Sequence, residues 1–149
     1  VGAVLDSDLH AGLIADGIHV SATTMRIALA AKPKGLFLVS DCMSFAGSDL
    51  TEITLNNRRI LRQNGRLTLA DGTLAGADLT LPQAIKTLIE QVGTPLEQAL
   101  AMATSAPAKV IGAADSHGHL RPGMAANLVH LTADWQVAEV WHAGKQVNL

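Results

Sequence analysis

The sequence has few of the residues that mark contact with nucleic acid, a membrane or an oxidising compartment. It contains no tyrosine and only two phenylalanines, and its 11 basic residues form no stripe, so no nucleic-acid partner is expected. No apolar run reaches the ~20 residues that cross a bilayer, so no membrane partner is expected either. The single cysteine, Cys42, excludes an internal disulfide and favours a reducing, cytoplasmic location.

The first residues also lack a recognisable leader. Residues 1–6 show no basic segment followed by an apolar core, so we expect no signal peptide. The chain does not begin with methionine, which favours an internal start.

What the chain contains is enough apolar material for a folded core. Hydrophobic residues make up 48% of its 149 residues, and the formal net charge is −2. Residues 11–15 and 36–41 are short apolar runs, typical of strands that are buried on both faces. Between them, Ser21 can cap a helix that ends before Pro33. A strand, a helix and a second strand make one βαβ unit, which predicts a parallel sheet.

The segment 51–72 changes to the alternating pattern of antiparallel strands. Asn56-Asn57 supplies one tight turn, and Asn64-Gly65 is a strong hairpin signal because both positions tolerate a positive φ. We therefore predict a small antiparallel meander inserted after the second buried strand.

Helices are predicted to follow, and strands to end the chain. Thr80 with Gln83 forms one capping-box pattern, and Thr94 with Glu97 forms a second. The remaining predicted elements are a short helix over 107–111 and strands over 127–131 and 137–141.

These elements do not close a complete domain. One βαβ unit leaves strand edges uncovered, and an α/β barrel needs about 200 residues or more. The simplest interpretation is a C-terminal piece of a larger enzyme.

Five motifs follow one another along almost the whole chain. They are Ile14-Ala15-Asp16-Gly17-Ile18-His19-Val20, Leu38-Val39-Ser40-Asp41 with Ala46-Gly47, Gly72-Thr73-Leu74-Ala75-Gly76, Ala101-Met102-Ala103-Thr104 with Pro107-Ala108, and Leu120 to Leu128. In this order and at this spacing they resemble the N-acetylglucosamine-6-phosphate deacetylase family of the amidohydrolase superfamily.

The resemblance implies an α/β fold, namely a TIM-like (β/α)8 barrel with a small β-sandwich domain built from both chain ends. Residues 11–16 resemble barrel strand seven and 36–41 resemble strand eight. On that basis residues 1–112 are expected to form the C-terminal part of the barrel, and 113–149 the C-terminal half of the sandwich.

The resemblance also implies a reaction. The family hydrolyses the acetamide of N-acetylglucosamine 6-phosphate to glucosamine 6-phosphate and acetate, with a divalent metal for which zinc is the first choice. Its metal ligands, a glutamate and two histidines, lie on earlier strands, so we expect no metal ligand in this chain and no activity from the chain alone. Family members are usually homodimers, which is the expectation here too.

Asp41 is the candidate acid/base. A metal lowers the pKa of bound water towards ~7, and a nearby carboxylate can take up the water's proton and pass it to the leaving nitrogen. Such a carboxylate belongs at the C-terminal end of a barrel strand, where Asp41 falls. From spacing alone, an aspartate that caps the following turn is an equally good interpretation; the family match favours catalysis.

The candidate substrate-binding residues are His19, Leu74, Ala75 and Gly76. In the family, the histidine that His19 matches contacts the sugar phosphate, and an imidazole can donate a charge-assisted hydrogen bond there. Residues 74–76 resemble the family's substrate loop, in which a glycine permits close backbone contact. Without the resemblance, a locally bonded histidine and a plain loop would explain these residues.

Two alternatives stay open for function. The substrate could be N-acetylgalactosamine 6-phosphate or a cyclic amide, because the segment 42–45 is bulkier than expected for the turn after Asp41. The chain could also be an inactive, self-associating module, because its cut barrel edge and apolar helix faces favour strand exchange.

Overall fold

A computed structural model describes residues 1–148 of the chain. Its elements alternate in the order that an α/β protein requires, with an antiparallel insertion in the middle. In chain order they are α1 (Gly2–Leu5), β1 (Ala11–Leu13), α2 (Ala22–Ala31), β2 (Leu36–Leu38), β3 (Glu52–Leu55), β4 (Arg58–Gln63), β5 (Arg66–Leu69), β6 (Leu74–Ala77), α3 (Leu81–Thr87), a π-helical turn (Leu88–Val92), α4 (Leu96–Ala103), α5 (Ser105–Val110), β7 (Leu128–Leu131), β8 (Val137–His142) and β9 (Lys145–Val147).

The predicted βαβ unit is confirmed. β1 and β2 pair in parallel, with Leu13 opposite Leu38. The helix between them starts where Ser21 accepts a hydrogen bond from the Thr24 amide at 3.2 Å. Both strands are shorter than predicted: β1 ends at Leu13 and β2 ends at Leu38.

The meander is confirmed and is one strand longer than predicted. β3 to β6 form a four-stranded antiparallel sheet in sequence order. Its tight turns use positive φ values at Asn56, Asn57, Asn64 and Gly65, as the sequence predicts. A small core of its own, formed by Phe45, Ile60 and Leu67, lies beneath this sheet.

One of the two predicted capping boxes is present. The Thr80 hydroxyl accepts a hydrogen bond from the backbone N–H of Gln83. The side-chain oxygen of Gln83 accepts one from the backbone N–H of Thr80 in return. The second box is wrong: α4 begins after Pro95, whose carbonyl accepts the first helical hydrogen bond, and Thr94 is buried instead. Burial in the core therefore outweighs the capping preference of Thr94.

The two predicted C-terminal strands are present as β7 and β8, and together with β9 they form a three-stranded antiparallel sheet. Leu131 and Trp135 from this region pack against the main core, which is built mostly from β1, β2, α3 and α4. The predicted domain boundary between residues 112 and 113 remains a prediction.

The fold is an α/β arrangement in which strands 11–13 and 36–38 are the parallel part. Within residues 1–148 the strands do not close into a barrel. In the described part of the chain, no helix has the length and apolar character needed to cross a membrane.

Candidate active site

The turn after β1 is built around Asp16. One carboxylate oxygen, Oδ1, accepts the backbone N–H groups of Ile18 and His19, both at 2.8 Å. The other oxygen, Oδ2, lies 2.6 Å from the Nδ1 atom of His19. A positive φ at Gly17 lets the chain turn tightly enough for all three contacts.

The contacts of this turn favour the ionised form of Asp16. Burial by itself raises the pKa of Asp16, but the hydrogen bonds from the His19 ring and from the Ile18 and His19 amides outweigh it and hold the pKa below its usual value. The ionised carboxylate fixes Nδ1 of His19 as the donor. The second ring nitrogen, Nε2, makes no hydrogen bond within residues 1–148, so it is free for a ligand.

Asp41 follows β2 in a left-handed backbone conformation, with φ at +50°. Its carbonyl oxygen accepts the amide of Ala77 at 2.9 Å, which ties the residue to the end of β6. Its carboxylate is exposed and accepts no hydrogen bond within the described residues. The main chain of Asp41 is therefore held while its side chain stays available.

Residues 74–76 are part of strand β6, which corrects the expectation of a loop. Gly76 has a φ of +135°, and a Cβ atom there would lie 3.3 Å from the Asp41 carbonyl oxygen and 3.0 Å from the Met43 side chain. Only glycine allows this close approach without strain. The structure thus brings Gly76 and Asp41 into contact, although 35 positions separate them in sequence.

His19 and Asp41 lie at the same edge of the parallel pair. The register that sets Leu13 opposite Leu38 carries Asp16 and Asp41 to the C-terminal ends of adjacent strands. His19 makes no hydrogen bond with Asp41 within residues 1–148. The two candidate residues therefore follow the C-terminal ends of adjacent strands and are not bonded to each other.

Two contacts near these residues were not predicted from the sequence. Met43 packs against Gly76, and Arg62 joins separate segments by bonding Asp78 Oδ2 at 2.7 Å and the Ser48 carbonyl at 2.6 Å. No local pattern signals either contact, because the partners come together only when the meander folds.

No group of three or more histidine, cysteine, aspartate or glutamate side chains in residues 1–148 is arranged to hold a metal ion. The described residues therefore do not fit a metal site by themselves.

A protein-family model places the chain in a known class. The model of the amidohydrolase family matches residues 4–147, and the chain belongs to this family. The resemblance to N-acetylglucosamine-6-phosphate deacetylases is confirmed by individual relatives. An N-acetylglucosamine-6-phosphate deacetylase of Haemophilus influenzae is 38% identical over 139 residues, which cover 92% of this chain and 36% of the relative.

A second relative is of similar length to this chain. It is a putative N-acetylgalactosamine-6-phosphate deacetylase of Escherichia coli K12, 32% identical over 146 residues, or 97% of this chain and 87% of the relative. By contrast, the chain spans only about a third of the Haemophilus influenzae protein.

Solved structures agree with the sequence relatives. The crystal structure of N-acetylglucosamine-6-phosphate deacetylase from Pasteurella multocida matches with a TM-score of 0.95 and 34% identity, over 99% of this chain and 39% of that one. A mutant of the Mycobacterium smegmatis deacetylase in complex with N-acetyl-D-glucosamine-6-phosphate matches with a TM-score of 0.82 and 28% identity, over 92% and 37%.

Proposed function

We propose that this chain serves in a metal-dependent deacetylase that hydrolyses N-acetylglucosamine 6-phosphate to glucosamine 6-phosphate and acetate. The contact between the Asp41 main chain and Gly76, on the rim that also carries His19, is the observation that supports the proposal best. In this proposal the residues are the last part of a (β/α)8 barrel, 1–112, followed by half of a β-sandwich, 113–149. The protein is proposed to be cytoplasmic and homodimeric.

The proposed divalent metal, with zinc as first choice, is held by ligands outside these 149 residues. This placement of the ligands is proposed because residues 1–148 offer no cluster of three ligating side chains. The chain alone is therefore proposed to be inactive.

Asp41 is proposed as the acid/base. Its carboxylate would accept a proton from the attacking water and then deliver it to the amide nitrogen, so that the amine leaves neutral. The exposed carboxylate has no competing partner in the described residues, which supports this role. The fixed backbone, tied to Ala77, would keep its position constant during the transfer.

His19 is proposed to bind the substrate phosphate through Nε2. The carboxylate of Asp16, 2.6 Å from Nδ1, holds the orientation of the ring and leaves Nε2 to face a ligand. Leu74, Ala75 and Gly76 are proposed to position the sugar, with the backbone of β6 approaching it closely where Gly76 has no side chain.

The decisive test is Asp41→Asn in the active protein. Because general acid–base catalysis contributes about 10²- to 10⁴-fold, we expect acetate release to fall by that factor at unchanged metal content. Asp115→Asn, a change of the same kind in an exposed turn, is the matched control and should keep full turnover. Full turnover by the Asp41→Asn protein would refute the role.

N-acetylgalactosamine 6-phosphate is a second candidate substrate. Support comes from the Escherichia coli K12 relative, of which the chain covers 87%. The ratio of kcat/KM on the two sugar epimers distinguishes the candidates. A preference for a cyclic amide without phosphate would argue against both sugars and against the proposed role of His19.

A self-associating, inactive module is the candidate of a different class. Several large apolar side chains are exposed, among them Ile111 and Leu120, which are 78% and 80% exposed. Light scattering combined with metal analysis separates the two classes. A monomer that binds one zinc tightly and hydrolyses substrate would exclude the module and the missing-ligand proposal together.

A further inference from the structure

A cationic cleft lies at the opposite end of the parallel strands from the candidate active site. We call it the basal cleft; its two adjoining hollows, of about 250 and 340 Å³, share the lining residues His10, Lys32, Lys34, Gly35 and Lys109, with Pro33 between them. His10 immediately precedes β1 and Gly35 immediately precedes β2. Six positions separate His10 from Asp16 and Gly35 from Asp41, which at ~3.3 Å per extended residue places the cleft at most about 20 Å from either aspartate.

Lys32 is the central feature of the basal cleft. Lys32 is only 6% exposed, and its ammonium group donates one hydrogen bond to the Ser7 carbonyl oxygen. The end of this side chain lies against Gly35, where a Cβ atom would be 3.1 Å from Cε. Gly35 therefore leaves the space that the lysine occupies.

Within residues 1–148 the ammonium group of Lys32 has no carboxylate partner. In this part of the chain its one hydrogen-bond partner is the Ser7 carbonyl oxygen. A buried charge is costly unless it is paired and fully hydrogen-bonded. An anion in the adjoining cleft would supply both the charge and the missing acceptors.

The rest of the lining has the same sign. Lys34 and Lys109 are exposed and border both hollows, whereas one acidic residue, Asp8, borders the second. Three ammonium groups around one cleft match a ligand with several acceptor oxygens and more than one negative charge. A carboxylate has fewer acceptor oxygens and a single charge, so it suits the cleft less well.

We propose that the basal cleft binds a phosphate group, as inorganic phosphate or as a phosphate monoester, through Lys32, Lys34 and Lys109. The site is separate from His19 and does not depend on the proposed deacetylase function. A ligand there would link the start of β1 to the end of α2 and to α5, and so would tighten the end of the fold that carries no candidate catalytic residue.

Titration calorimetry with sodium phosphate, at constant ionic strength set by sodium chloride, tests the proposal. We compare the unaltered protein with the double variant Lys34→Gln/Lys109→Gln. The matched control is Lys86→Gln/Lys145→Gln, which removes two exposed lysines outside the cleft. Lys32 stays in place because it also holds Ser7.

We expect saturable one-to-one binding that weakens about tenfold or more in Lys34→Gln/Lys109→Gln and stays within twofold in the control. Binding should also survive in His19→Ala, which separates the basal cleft from the proposed active site. Absent saturation, an equal loss in the control, or a loss in His19→Ala alone would each overturn the proposal. Glucosamine 6-phosphate in place of phosphate, titrated into His19→Ala so that the proposed active site does not contribute, identifies the source: tighter binding assigns a monoester, and weaker binding assigns inorganic phosphate.

Discussion

Replacement of Asp16 by asparagine should destabilise the protein by an amount that depends on pH. Asparagine keeps an oxygen for the amides of Ile18 and His19, but it loses the charged hydrogen bond at 2.6 Å between Oδ2 and the His19 ring. A hydrogen bond to a charged group contributes about 1.5–3 kcal/mol, so we expect a loss of about 1–2 kcal/mol at pH 7 because both side chains keep some solvent contact.

Asp16→Ala distinguishes the backbone contacts of the Asp16 carboxylate from its contact with the His19 ring. Alanine removes the backbone acceptor as well, and a lost cap of this kind costs about 1 kcal/mol more. The expected order of unfolding free energy is therefore unaltered protein, then Asp16→Asn, then Asp16→Ala, measured by urea denaturation with fluorescence of Trp135 and Trp141.

The stability contributed by the Asp16 carboxylate should decrease in acid. The folded state holds the pKa of Asp16 below its ordinary value, so the carboxylate stabilises the fold at pH values above the unfolded pKa of about 3.9. That stabilisation is lost as the pH falls through the lower, folded pKa. The gap between unaltered protein and Asp16→Asn should close in this acidic range. A gap that is absent at pH 7, or that persists unchanged in acid, would refute the stabilising role assigned to the Asp16 carboxylate.

Three further changes test individual contacts by denaturant unfolding. Gly76→Ala should cost about 1–3 kcal/mol from backbone strain at φ +135°, whereas Gly2→Ala, with open space around it, should cost little. Leu67→Ala should cost about 2–5 kcal/mol because Leu67 is fully buried, against less than about 0.5 kcal/mol for the exposed Leu120→Ala. Thr94→Val should be neutral or stabilising by up to about 1 kcal/mol, because the Thr94 hydroxyl is buried without a partner in residues 1–148; a clear loss would reveal one.

Elements with strong local signals could be predicted from the sequence. The two apolar runs around a Ser21-capped helix gave a parallel pair, since a run without alternation suits a strand covered on both faces. Asn64-Gly65 predicted its hairpin because both residues accept a positive φ.

Strand β6 was missed because its local sequence is a poor strand former. Leu74-Ala75-Gly76-Ala77 lacks β-branched residues and alternation, and it becomes a strand only by pairing with β5 and by the bridge from Ala77 to Cys42. Thr94 shows the reverse case, in which a good local cap signal loses to burial.

The candidate site likewise contains one contact that the local sequence predicts and one that it does not. Asp16 and His19 are three positions apart, so their mutual contact follows from the local chain. The approach of Gly76 to Asp41 depends on the whole meander being folded between them, and no local pattern contains it. The roles of Asp41, His19 and residues 74–76 in catalysis and binding stay predictions.

The meander has a core of its own, so the chain contains two apolar centres rather than one. Amide hydrogen exchange in segment 52–69 should then respond to Ile60→Ala while the amides of α3 and α4 keep their protection. With two separate cores, substitutions in the meander beside Asp41 can accumulate while the packing of the main core stays unchanged.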